Sequence, residues 1–452
     1  MELPKNFSAR MKQMLGDEYD EFIGALQNAP IRTGLRVNER KECAYSEIAD
    51  IIGGLEKIEW CNNGFYCDKK TISGTNPYHV AGLFYFQEPS AMASVEALTP
   101  KKDDYILDLC AAPGGKATQA GAYLDGSGLL VANEIIPKRA AILAENIERM
   151  GIANSIVTNE SPEKLAEKFP QFFDKIIVDA PCSGEGMFRK EPQAVTEWSI
   201  NHTKTCAVRQ RHILDFAYKM LAPGGYIAYS TCTFAPCENE ETVEYFLDSH
   251  SDMSLADTGL DMLSAGRNEW ASGRYDMTKT RRIFPHTQKG EGHFIALLKK
   301  DGERTDRAFS KKTTKKNTES GVKLFKAFEK ETLFTDFDGC FEMFGDNLYL
   351  VPHGIDTDGL KLVRGGLHLG VCKKNRFEPS QALLSSLELS EFKNSVSFFA
   401  ESEEIRKYLR GETINSDVKG YCCMAVGKAP LGWAKGSDGI LKNHFPKYLR
   451  LP

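Results

Sequence analysis

Residues 173–187 read FDKIIVDAPCSGEGM, and residues 229–234 read YSTCTF. In each, a short apolar, β-branched run reaches a turn, and a cysteine sits just past it. Cys182 and Cys232 therefore stand at the ends of two buried strands. Neighbouring strands of one parallel sheet share a rim at their carboxyl ends, where open α/β sheets hold ligands. Two thiols on such a rim are either a reactive pair or a coincidence of packing, and the flanking sequence has to separate the two.

Outward from this stretch, strands and helices alternate from Asp104 onward. Strands are expected over 105–109, 128–132, 155–158, 175–178 and 225–230, the last entered through the turn Ala222-Pro223-Gly224, with helices over 117–124 and 137–150. A further strand over 293–298 closes the block. This alternation marks an α/β class, a doubly wound Rossmann-like sheet with crossover helices. Upstream, Phe7, Met11, Met14, Leu15, Phe22 and Leu26 fall at mostly helical spacing and open a small N-terminal α+β module, residues 1–75. The core runs over 76–298. Residues 299–321, which include FSKKTTKKNTESG, are polar and without apolar period and are expected to be an exposed linker. Residues 322–452 form a separate, glycine-rich module of short strands.

The bulk numbers agree with this division. A chain of 452 residues, 42% hydrophobic and 26% charged, has room for about two to four domains and excludes the disordered and fibrous classes. The net charge of -5 is uneven: acids exceed bases before residue 299, and bases exceed acids after it. A mildly basic tail fits a nucleic-acid partner or a plain solvated surface. No apolar segment near the start and no run of roughly 18 apolar residues is present, so neither a signal peptide nor a membrane partner is expected, and the protein is expected in the cytoplasm. The 12 cysteines include no CxxC pair and no zinc spacing, so no metal is expected.

After the first core strand the chain reads DLCAAPGGK, residues 108–116. The small residues of this loop, Cys110, Ala111, Ala112, Pro113, Gly114 and Gly115, with Lys116 at its mouth, let a ligand approach backbone N–H groups at a helix start. It is neither a P-loop nor GxGxxG. Glu134, at the end of the second strand, has the placement of an acid that accepts hydrogen bonds from a ribose diol. Loop and acid together suit a nucleoside with a short polar tail, such as S-adenosyl-L-methionine; the alternative is a bare structural turn.

DLCAAPGGKATQ, VANE followed by Pro137-Lys138-Arg139, DAPCSGEG, and STCTF followed by Glu238-Asn239-Glu240 resemble, in that order, the signature blocks of the Nol/Nop/Sun family of RNA cytosine-C5 methyltransferases. The likeness spans roughly residues 80–300 and extends to Gln87-Glu88-Pro89-Ser90 and RRIFPHTQKGEGHF. The stretches GLHLGVCKKNRFEPS and LKNHFPKYLR resemble the PUA-like tail of its bacterial RsmF-like branch, which modifies 16S ribosomal RNA. The resemblance implies methyl transfer from S-adenosyl-L-methionine to cytosine C5, with Cys232 as nucleophile and Cys182 assisting product release. Asp179 would face the N3 edge of the base, hydrogen-bonding or protonating it, and would also border the cofactor. Lys116 would lower a nearby thiol's pKa. The loop 110–116, Glu134 and Arg139 match the family's cofactor contacts; where the family usually has Asp, this chain has Ser161, whose hydroxyl would reach the adenine amine, or else Glu160 substitutes. Cys110, Cys206 and Cys237 are read as structural thiols.

A cytosine inside a duplex hides C5 and C6, so the target must be unpaired or flipped. Phe188, Tyr85 and Phe86 flank the motif blocks as aromatic candidates. Arg189 and Lys190, with Lys373, Lys374 and Arg376 in the tail, are expected either to contact phosphates or to form a solvated face. The implied partner is 16S rRNA or the small ribosomal subunit. The alternatives are tRNA as substrate, or a non-catalytic RNA-binding assembly factor.

Overall fold

The computed structural model describes residues 2–68, 72–124, 127–304 and 318–451. Helices α1 (Lys5–Leu15) and α2 (Tyr19–Asn28) bury Phe7, Met11, Leu15, Phe22 and Leu26 along one stripe. That stripe packs on Phe188, Trp198, Phe234 and Phe284. The helical cap therefore covers the loops that carry the two cysteines. Strands β1 (Thr33–Val37), β2 (Gly64–Cys67) and β3 (Phe84–Gln87) form an antiparallel sheet in the order β2-β1-β3. Pairing of Gly34 with Gln87 brings β3 into this sheet, past the boundary expected at residue 75.

The core begins with α3 (Pro89–Leu98) and continues through β4 (Tyr105–Asp108), α4 (Gly115–Tyr123), β5 (Leu129–Asn133), α5 (Pro137–Arg149), β6 (Ser155–Thr158), α6 (Pro162–Lys168) and β7 (Phe173–Asp179). It goes on with α7 (Ile200–Met220), β8 (Leu221–Thr231), α8 (Glu240–Ser249), β9 (Met253–Ala256), β10 (Ser264–Ala265), β11 (Arg281–Ile283) and β12 (His293–Lys300). The parallel strands lie in the order β6-β5-β4-β7-β8, and β12 runs antiparallel beside β8. Successive side chains alternate between two cores: Leu107, Val131, Ile176 and Ile227 face one set of helices, and Ile106, Leu130, Ile177 and Ala228 the other. Helices on both faces make the sheet doubly wound, and continuous apolar strands are what burial on both faces requires. Residues 222–224, expected as a turn before the strand, lie inside β8, whose pairing with β7 shifts register between Phe173 and Lys175.

Strand β12 ends at Lys300 and α9 (Glu319–Thr332) begins at Glu319, so the ends of the expected linker 299–321 are regular structure; its middle, 305–317, lies outside the described residues. Beyond α9, β13 (Cys340–Phe344), β14 (Asn347–Val351), β16 (Leu367–Lys373) and β17 (Arg376–Pro379) form one sheet. Between them β15 (Leu362–Arg364) leaves this sheet and pairs with β6 at the edge of the core sheet. After α10 (Gln381–Ser385), the strands β18 (Ser395–Phe398), β19 (Ile414–Asn415), β20 (Gly420–Val426), β21 (Ala429–Ser437) and β22 (Ile440–Asn443) form a second sheet, with α11 (Glu403–Arg410) packed on it.

The C-terminal part packs against the N-terminal sheet. Ile405, Tyr408, Cys422, Met424 and Leu431 share one core with Leu35, Phe65 and Phe84 of the N-terminal sheet. Lys41 reaches the carbonyls of Ser385 and Leu387, and Gly151, at φ +72°, comes so close that a Cβ there would stand 2.3 Å from the Ser385 carbonyl oxygen. No helix among the described residues is long and apolar enough to cross a membrane.

Candidate active site

In this strand order β4 lies between β5 and β7, so the crossovers diverge on either side of β4 and open a crevice at its carboxyl end. The loop 109–114 lines that crevice. The Leu109 N–H donates to Ile177 O and the Ala111 N–H to Asn133 O, which fixes the loop to both flanking strands. Gly114, at φ +116°, starts α4 in a conformation that other residues avoid. One strand over, Glu134 accepts from the Ile136 N–H at 2.9 Å and pairs with Arg139 at 3.2 Å, and Arg139 also donates to Ala112 O at 2.8 Å. Glu134, Arg139 and the loop are thereby one assembly. Ile135 and Ile136 beside it are exposed apolar residues that motif reading passed over.

Ser161 caps α6, its hydroxyl accepting the Lys164 N–H. The Glu160 carboxylate accepts the Lys361 N–H at 2.7 Å, and the Asn159 N–H donates to Lys361 O. The wall at the end of β6 is thus held by Lys361, the residue before β15.

Asp108, at the end of β4, is 1% exposed, and its carboxylate oxygens have no well-formed hydrogen bond among the described residues. Burial, and then the negative charge of Asp179, push its carboxyl up to about 8, with Lys116 opposing. Asp179 ends β7 opposite Ser230 of β8. It is held by the Lys116 ammonium at 2.8 Å and the Ser230 hydroxyl at 2.9 Å, with His293 Nε2 at 3.9 Å. Burial would raise its carboxyl, but Lys116 and the hydrogen bonds from Lys116 and Ser230 outweigh burial and hold it below the usual carboxylate range. His293 is pushed down to about 3 by burial and by Lys116, so its imidazole is neutral.

Cys182 Sγ and Cys232 Sγ lie 3.2 Å apart, within hydrogen-bond distance, and both residues are partly accessible. The Cys182 thiol is pushed well up by its hydrogen bond to Cys232, by burial, and by the charges of Cys232 and Glu238. Cys182 therefore holds its proton more tightly than a free thiol does. The Gly186 N–H donates to Cys232 O, tying the two cysteine loops together. Glu185, fully buried, binds Arg10 of α1 through two 2.7 Å contacts, the Trp198 indole N–H at 2.7 Å and the Phe234 N–H at 3.0 Å.

Several expectations need correction. Lys116 turns its charge on the Asp179 carboxylate, not on a thiol. Arg189 is buried against Glu291 at 2.8 Å and the Ala29 carbonyl at 2.8 Å, and Lys190 reaches Arg32 O at 3.0 Å. Both cations are used inside the protein, where a phosphate would have to displace a buried carboxylate. Phe188 and Tyr85 are core residues, Tyr85 lying beneath Arg36 and Arg149. Lys373, Lys374 and Arg376 do sit exposed on the β16–β17 hairpin, but Arg376 is paired with Glu378 at 2.7 Å. Cys110 and Cys206 are raised chiefly by burial, Cys206 to about 12, and burial also raises Cys237. His293, Ser230, Glu185 and Glu238 were not singled out, although all four stand in the quoted motif blocks or their extensions; nothing in their spacing says which way the side chains turn.

A family model described as 16S rRNA methyltransferase RsmB/F matches residues 95–299. Models for the N-terminal domain of 16S rRNA methyltransferase RsmF, the RsmF first C-terminal domain and the RsmF PUA domain match residues 3–89, 327–387 and 396–451. The ribosomal RNA small subunit methyltransferase F of Vibrio cholerae serotype O1 (strain M66-2) is 30% identical over 472 residues, covering 99% of this chain and 97% of that protein. Its counterpart from Vibrio vulnificus (strain YJ016) is 29% identical with the same coverage. Among solved structures, a methyltransferase homolog protein from Pyrococcus horikoshii is 27% identical with a TM-score of 0.58, over 66% of this chain and 95% of that one. NSun6 from the same organism shares the fold at 23% identity and a TM-score of 0.57, over 66% of this chain and 99% of that one. With near-complete coverage of relatives at this identity and four consecutive domain matches, the chain belongs to the RsmB/F family of 16S rRNA methyltransferases, in its RsmF branch.

Proposed function

We propose that this protein methylates C5 of a cytosine in 16S rRNA, with S-adenosyl-L-methionine as methyl donor, through a covalent bond between Cys232 Sγ and C6 of the base. The observation that carries the reading is the 3.2 Å thiol pair beside the Asp179–Lys116 ion pair. The crevice suits the donor: Glu134, at the end of β5 and tied to the loop through Arg139, has the placement of an acid that accepts hydrogen bonds from a ribose diol. Residues 110–115, Lys116, Glu134, Arg139, Ser161 and Asp179 would hold it. When bound, S-adenosyl-L-methionine supplies an electrophilic methyl group.

The chain's own residues do the rest. Cytosine C5 is a poor nucleophile until a thiolate adds at C6, which turns C5 into an enamine-like carbon. Cys232 is that nucleophile, with Cys182 as its hydrogen-bond donor. Asp179, held ionised by Lys116, accepts a hydrogen bond from the exocyclic amine of the base. Lys116 keeps that carboxylate ionised and places positive charge where the base gains electron density. Once Cys232 is bonded to carbon, its charge is gone and its sulfur no longer draws the Cys182 proton. Both effects had raised the Cys182 thiol, so Cys182 ionises more readily at this stage. Its thiolate takes the C5 proton, the C5=C6 double bond reforms, and Cys232 leaves as thiolate.

The division into an N-terminal module, a core, residues 299–321 and a C-terminal module is part of the same reading, with the RNA contacted by Lys373 and Lys374. Bisulfite sequencing of 16S rRNA from cells whose only copy carries Cys232→Ala tests it. Methylation is expected to fall by ~10³-fold or more, as for loss of a covalent nucleophile; normal methylation would sink the reading.

A further inference from the structure

Glu238 is fully buried one loop beyond Cys232 and takes no part in the chemistry described above. Its two carboxylate oxygens collect four donors. Oε1 accepts from the Ser183 hydroxyl at 2.5 Å and the Thr233 hydroxyl at 3.4 Å; Oε2 accepts from the Ser183 N–H at 3.0 Å and the Gln210 amide at 2.9 Å. The same Gln210 amide donates to Pro181 O at 3.0 Å, and the Ser183 and Thr233 hydroxyls are 2.9 Å apart. Ser183 follows Cys182 and Thr233 follows Cys232, so one carboxylate binds the residue after each thiol and, through Gln210, the residue before Cys182. The Tyr229 hydroxyl donates to Glu238 O at 2.5 Å and fixes the clamp to β8.

We propose that Glu238 is a positioning residue that sets the separation of the two thiols, locking the Cys182 loop onto the Cys232 strand end. The loops meet through few other contacts: the Gly186 N–H to Cys232 O, and the Glu185 contact with the Phe234 N–H. A carboxylate has reason to be kept at such a site. It gathers four donors on two atoms, which no neutral side chain of its size does, although burial there pushes its pKa up to about 7. The role rests on the catalytic assignment of the two cysteines only for its consequence.

The test uses the full-length chain and the rate at which diamide joins Cys182 to Cys232, followed by mass spectrometry of the linked peptides. The pair gives up two electrons and two protons to diamide, so the rate depends on how often the sulfurs meet. Glu238→Gln keeps the volume but removes one acceptor oxygen, and Ser183→Ala removes the hydroxyl arm alone. Each is expected to slow linkage, Glu238→Gln by about tenfold, the scale of one buried hydrogen bond. Loss of the negative charge by itself would lower the Cys182 thiol and speed linkage, so a slower rate reports geometry. Release of the methylated product should slow alongside while RNA affinity stays within about twofold. Linkage as fast as in the unmodified chain, or faster, in either folded variant would overturn the proposal. Slow linkage combined with Cys232-independent methylation would leave the clamp standing and remove the covalent mechanism.

Discussion

At the residue scale, the site is a set of acids and thiols whose protons are placed by neighbours. Asp108 and Asp179 end adjacent strands, yet Asp179 is ionised against Lys116 while Asp108, buried without a cation of its own, is raised to about 8. The sign of its effect on stability follows. Between the ordinary carboxylate range and about pH 8 the folded chain holds this proton more tightly than the unfolded chain, so stability falls as pH rises across that interval. Asp108→Asn removes this contribution, and melting temperature measured between pH 5 and pH 8 should then decline less steeply than in the unmodified chain. The positions of both cysteines, Asp179 and Glu134 were legible in the sequence, because they sit at or just past strand ends that the strand–helix alternation locates; the pairing of Lys116, in the first turn of α4, with Asp179 was not. The fates of Arg189 and Lys190 were not. Whether a cation meets solvent or a buried carboxylate depends on Glu291, a hundred residues away, and no local pattern marks that pairing.

At the scale of elements, the two cysteine loops are held from above by helices. Nη2 of Arg10 in α1 donates to both carboxylate oxygens of Glu185, which has no exposed surface of its own, and Phe7 stacks edge-on to Phe188 and Trp198. Arg10→Ala would leave a buried carboxylate without its cation and should cost about 3 kcal/mol in chemical denaturation. The loss should appear also as slower methyl transfer, because Glu185 holds the Phe234 N–H two residues past Cys232. The amphipathic stripe of α1 and α2 could be read from spacing, but its target could not: a stripe says that a face is buried, not against what. The same holds for β3, whose sequence FYFQ suits either sheet until its pairing with β1 is seen.

At the scale of the whole molecule, the C-terminal part is joined to the rest by the shared core with the N-terminal sheet, by β15 on β6 and by Lys41 on the carbonyls of Ser385 and Leu387. Arg364 of β15 donates to Ile152 O and to the Ser155 hydroxyl, both at 3.2 Å, from a fully enclosed position. A chain ending at residue 300 would expose Leu35, Phe65 and Phe84 and free the edge of β6. It is expected to aggregate in size-exclusion light scattering while the intact chain stays monodisperse. The change of composition past residue 298 gave no sign of this union, since antiparallel pairing between strands some 200 residues apart leaves no local trace. The intact protein on its RNA is also where the division of labour between the thiols is decided. Cys182→Ala should trap a protein–RNA adduct that survives denaturing electrophoresis and maps by mass spectrometry to Cys232, and the adduct should vanish in Cys182→Ala/Cys232→Ala. Absence of any adduct in the single variant, or its persistence in the double one, would contradict the assignment of Cys232 as nucleophile and Cys182 as the releasing residue.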